Sequence, residues 1–147
     1  MRDILSNFQE VHLGNVTVSG TTPATSGYVD LQGFGACNIS VVANTVTDAG
    51  TAAGFTVTLQ ESADTTAAAA STVATTDTVG ESNTVTVTSD SADDSTAGRM
   101  GYLGSNRYVG ITVTGTTGSN ADISIIATLG KPTSAAVTAI GTAVART

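Results

Sequence analysis

Few side chains in this chain can do chemistry. There is one histidine, His12, and one cysteine, Cys37. Nucleophilic catalysis needs a base held beside the nucleophile. His12 sits near the start of the chain, and Cys37 falls inside an alternating apolar segment, so both read as surface or packing residues. Two such residues are too few for a zinc site, and neither standard phosphate-cradling glycine pattern occurs. Carboxylates are more numerous. Asp90, Asp93 and Asp94, with Asp64, Asp77 and Glu81, lie in a Ser/Thr-rich stretch of the kind calcium favours, but the Asp-x-Asp-x-Asp-Gly grammar is missing. They read as solvated loop acids. Paired carboxylates acting on a sugar would need an aromatic-lined cleft, and aromatics are 4% of the residues. The expectation is a protein that is not an enzyme and holds no cofactor or metal.

Another class of chemistry is recognition. The segment Arg99-Met100-Gly101-Tyr102-Leu103-Gly104-Ser105-Asn106-Arg107-Tyr108 concentrates two of the five basic residues and two of the three tyrosines. Tyr and Arg are favoured anchors of protein interfaces, so Arg99, Tyr102, Arg107 and Tyr108 are candidate contact residues. The bland alternative is a turn followed by a strand, with Arg107 exposed.

The elements that position these residues follow from composition. The chain has 147 residues, enough for one domain. Charged residues are 12%, about half the ~25% of an ordinary soluble domain. Their place is taken by 28 Thr, 21 Ala and 16 Gly. Thr is β-branched and suits a half-buried pleated surface. Alternation recurs at 16–18, 28–31, 37–41, 55–59, 84–88, 108–114 and 122–129, with a weaker pairing marked by Val73 and Val79. The pattern predicts an all-β chain: one antiparallel β-sandwich, jelly-roll or immunoglobulin-like, of about seven or eight short strands.

Three segments fall outside that pattern. Residues 1–10 form an N-terminal arm with an apolar stripe of Ile4, Leu5 and Phe8. Residues 62–83 read as a long loop. Residues 131–147 form a C-terminal arm of small residues punctuated by Val137, Ile140 and Val144. The sandwich domain is then 11–130. The N-terminal stripe is too short for a stable free helix and the C-terminal arm has too little bulk to pack on itself, so these six apolar residues are expected to lie against neighbouring subunits.

The formal charge is −7, with basic residues only at Arg2, Arg99, Arg107, Lys131 and Arg146. Such a chain is expected to avoid nucleic acid and anionic membrane surfaces. The start of the chain lacks the apolar run of a secretory signal, so the protein is expected to act where it is made or to travel inside something larger.

Several motifs occur in a telling order: Tyr28-Val29-Asp30-Leu31-Gln32-Gly33-Phe34, Thr58-Leu59-Gln60-Glu61-Ser62, Gly101-Tyr102-Leu103-Gly104-Ser105-Asn106-Arg107-Tyr108-Val109, and Leu129-Gly130-Lys131-Pro132. With the Met-Arg-Asp start, they make residues 1–133 resemble a family of small β-rich virion structural proteins of tailed bacteriophages, encoded near the major capsid protein. The resemblance implies a head decoration, or cement, protein. Its partners would be the major capsid protein and further copies of itself, with a homotrimer the expected assembly. Its place would be the outer face of the capsid, after synthesis in the host cytoplasm. A tail or head-completion subunit is the nearest alternative, and a host-surface or carbohydrate-binding sandwich a more distant one.

Overall fold

The computed structural model describes residues 7–64, 69–93 and 95–132. Among them ten strands pair exclusively antiparallel in two sheets: β1 Phe8–Ser19, β2 Ala24–Thr25, β3 Val29–Asp30, β4 Phe34–Asp48, β5 Phe55–Ser62, β6 Ser71–Thr72, β7 Thr84–Val87, β8 Ser95–Tyr102, β9 Tyr108–Thr114 and β10 Asn120–Pro132. Sheet A runs β1-β10-β4-β8. In sheet B, β5 and β9 form the centre. The short β2 and β3 share one edge, both paired to β9, while β6 and β7 share the other, both paired to β5. Each sheet is therefore four strand positions wide. The chain folds as the expected all-β sandwich.

The interior is made by alternation. Along β10, Ala121, Ile123, Ile125, Ala127 and Leu129 are buried, while the residues between them are less so. Facing them across the sandwich, Phe55, Val57 and Leu59 of β5 and Val109, Ile111 and Val113 of β9 are fully buried. Side chains that are mostly β-branched lose little rotamer freedom on a pleated surface, so such a core can pack closely.

Three differences from the sequence expectations have physical causes. First, β1 is one strand of twelve residues rather than a short one at 16–18. A bulge between His12 and Gly14, with Gly14 at φ +110°, shifts the register against β10. Leu13, the extra residue, points inward at the bulge, and Val16 and Val18 point inward after it. A positive φ suits glycine. The bulge breaks the sequence alternation without breaking the strand.

Second, the terminal boundaries move. Phe8, assigned to the N-terminal arm, already pairs with Gly130, and β10 continues through Lys131 to Pro132 opposite Phe34. Of the proposed arm contacts, Ile4, Leu5, Val137, Ile140 and Val144 lie outside the described residues.

Third, β8 was hidden. Its sequence, STAGRMGY, lacks alternating β-branched residues because Gly98 and Gly101 make room for neighbours. A Cβ on Gly98 would stand 2.7 Å from Val85 of β7, and one on Gly101 would stand 2.7 Å from Val79. Gly98 lets the edges of the two sheets close on one another, and Gly101 makes room for the 79–81 turn over the end of β8. The segment 62–83 is also more than loop: Val73 is fully buried, its amide bonds the Leu59 carbonyl, and Thr78 bridges Tyr102.

Gly98→Ala is expected to cost about 1–3 kcal/mol, because the branched Val85 side chain, with both methyls within 2.9 Å, already fills the space the new methyl needs. Chemical denaturation checks it. Val85→Ala should cost less in the Gly98→Ala background than alone; strict additivity would show that the two do not touch.

Candidate interaction site

The candidate contact residues distribute over two surfaces and the interior. At one end of the sandwich, β9 begins at Tyr108 opposite Asp30 of β3. This register brings Arg107 against Asp30, 77 residues away in sequence. Arg107 Nε donates to Asp30 Oδ1 at 2.8 Å and Arg107 NH2 to Asp30 Oδ2 at 2.6 Å, a bidentate fork. The guanidinium also lies 5.1 Å from the centre of the Tyr108 ring. The Gln32 amide donates to the same Asp30 Oδ1, and the Leu31 amide to the Arg107 carbonyl, so the pair is fixed on both sides. Hydrogen bonding from Arg107 holds the Asp30 carboxyl below the usual carboxylate range, with help from Gln32 and against partial desolvation.

Tyr102 does not share that exposure. It is buried at the end of β8, where its hydroxyl donates to Glu61 Oε2 at 2.5 Å and accepts from the Asn106 amide at 2.8 Å. Burial first, and the Glu61 hydrogen bond second, push this hydroxyl well above the usual phenol range. Tyr102 therefore ties the 103–106 turn to β5 instead of meeting a partner, which corrects its assignment as a contact anchor. The turn closes an open cleft of about 420 Å³ whose lining includes Leu31, Phe34, Cys37 and Leu103. Leu103 is 63% exposed at its mouth.

Arg99 and Phe8 lie on the second surface, the outer face of sheet A. Phe8 is 48% exposed beside Gly130, and Arg99 is exposed on β8 in the row His12, Ile126, Ser40, Arg99. Elsewhere on this face a polar ladder crosses three strands. Ser124 donates to Asn15 at 2.8 Å, and Asn44 donates to Ser124 at 2.9 Å and to Asp122 at 3.1 Å.

The other reactive candidates resolve into structural roles. His12 Nε2 lies 3.1 Å from Asn15 Oδ1 on the outer face, whereas Cys37 is buried on the inner side of the same sheet, where desolvation pushes its thiol up to about 12. Imidazole and thiol are separated by the sheet. Asp90 Oδ1 accepts from the Ala49 amide at 2.7 Å, and Asp93 Oδ1 accepts from the Val46 amide. These carboxylates satisfy the end of β4, and among the described residues no group of three His, Cys, Asp or Glu side chains is arranged to hold a metal ion. The sequence offered no signal for the Asp30, Glu61, Asp90 and Asp93 partnerships, since each spans 41 to 77 residues.

No family model matches the chain, and no curated relative does either. A solved structure is similar: the PBSX exported protein XepA, with a TM-score of 0.52 at 12% identity, over 95% of this chain and 43% of that one. The likeness is one of fold. This chain spans less than half the length of that protein.

Two predictions follow from the end cleft. Arg107→Ala should raise the Asp30 carboxyl back toward the ordinary carboxylate range, since the hydrogen bond that lowers it most is gone. The pair contributes above the unfolded carboxylate pKa and is lost as pH falls through the depressed folded value. The variant should thus differ from the parent at neutral pH and converge with it in acid; an NMR titration in which Asp30 does not move would contradict the fork. Tyr102→Phe strands the Asn106 amide and should cost about 1–3 kcal/mol in a denaturation experiment.

Proposed function

We propose that this protein is a non-enzymatic structural component of a tailed-bacteriophage particle, acting as a head decoration protein on the outer surface of the capsid. The observation that carries this reading is how the sandwich spends its polar side chains. Carboxylates, hydroxyls and the Arg107 guanidinium are committed to holding strands and turns, and the broad surfaces that remain are sparsely charged. Such surfaces suit contact with other protein faces, because interface cores are depleted of charge. The ordered motifs that resemble phage virion proteins support the same reading, and the fold is one shared with the PBSX exported protein XepA.

In this role each copy bridges neighbouring capsomers of the major capsid protein, and many weak contacts add to a stable shell through multivalency. The −7 charge suits a position away from packaged DNA.

A second reading has its own support: XepA is named as an exported protein, which favours a product that leaves the cell rather than one built into the head. Quantitative mass spectrometry of purified virions separates them. Hundreds of copies per particle, removable without loss of the tail, are expected of a decoration protein. A handful of copies would assign it to a tail or head-completion ring. Absence from virions together with recovery from the culture medium would overturn the capsid role in favour of export.

A further inference from the structure

We infer that the outer face of sheet A is a self-association surface on which two copies of this chain pack about a two-fold axis. The inference is independent of the virion role. It starts from an asymmetry within that face. The half carrying Asn15, Asn44, Asp122 and Ser124 satisfies its polar groups internally through the ladder described above. The other half does not. There Ile126 of β10 and Val42 of β4 are half-buried in the middle of the sheet, and Phe8 and Val79 are exposed beside them. Two shallow depressions of about 420 and 400 Å³ adjoin at Arg99, one bounded by Glu10, Val42 and Ile126 and the other by Phe8 and Val79.

Charge identifies the occupant. Glu10 lies on edge strand β1 and Arg99 on the opposite edge strand β8, in adjacent rows of the same face. Neither has an ion-pair partner among the described residues. Three strand spacings, about 14 Å, keep them apart within one chain. A two-fold axis parallel to the strands, passing between β10 and β4, lays β1 of one copy over β8 of the other. It sets Glu10 of each copy against Arg99 of the other and brings the Ile126 and Val42 regions together at the centre.

This arrangement is isologous, with the same patch on both sides. It also answers a difficulty. A chain of charge −7 repels its own copies, and here the two unpaired charges of the contact half are one of each sign. The face has the area for it. The whole face, ladder half included, projects roughly 700 Å² per copy from four strands of 8 to 15 residues, near the ~800 Å² per partner of a standard interface. Sheets meeting face to face pack ~10 Å apart at a small angle, which half-buried Ile and Val side chains can fill. The resulting unit is a dimer, in place of the homotrimer implied by resemblance.

The test exploits the reciprocity of the contact. The full chain should sediment as a dimer at micromolar concentration. Arg99→Glu alone and Glu10→Arg alone should each weaken the dimer by about tenfold or more, since each homodimer then places like charges together twice. Circular dichroism of both should match the parent. Mixing the two single variants should restore association as a one-to-one heterodimer, because both contacts are then paired. A monomeric parent at 100 micromolar (as when another part of the chain covers the face), a ring larger than two, or a mixture that stays monomeric would overturn the inference.

Discussion

The structure depends on one constraint: two four-strand faces must close over a core that contains almost no large side chains. Phe55 is the only fully buried aromatic ring among the described residues, and Ile, Val, Leu, Met and Ala supply the rest. A core of that kind gains its stability from close interdigitation rather than from the bulk of any one residue. The sheets must therefore approach closely, also at their edges. Gly98 on β8 makes room for that approach, and the bulge at Gly14 keeps β1 aligned while its inward positions change parity.

A thin, densely filled sandwich leaves little room for an internal site, so its useful chemistry is at ends and faces. With 12% charged residues, the placement of each charge carries weight. Asp30 and Arg107 lock the start of β9 to β3; Glu61 receives the Tyr102 hydroxyl; Asp90 and Asp93 finish β4. These are long-range ties in a protein whose strands are mostly joined by small, polar turns. Among charged side chains on the broad face of sheet A, Glu10 and Arg99 have no such assignment, and this contrast makes that face the natural place to look for a partner.

A decoration role and a self-associating face are compatible without depending on each other. A small sandwich that presents one broad face to a second copy still offers its end cleft and the opposite sheet to a larger surface. The shared fold with XepA adds that a sandwich of this type also occurs within a chain more than twice as long.

The sequence by itself determined the class of fold and most strand positions, because a period-two pattern of Val, Ile and Thr is a local consequence of burying one side of a strand. It also marked Arg99, Arg107 and Phe8 as surface residues worth attention. Tertiary structure alone decided the rest. Strand β8 was illegible because its glycines answer to Val85 and Val79, which are distant in sequence. Tyr102 reads as an interface anchor until Glu61 and the Asn106 amide are seen to claim its hydroxyl. Arg107 looks like a free cation until the β3–β9 register delivers Asp30. Periodicity reports which side of a strand is buried; it carries no information about which residue 40 or 80 positions away will stand opposite, and that pairing sets what each polar group is free to do.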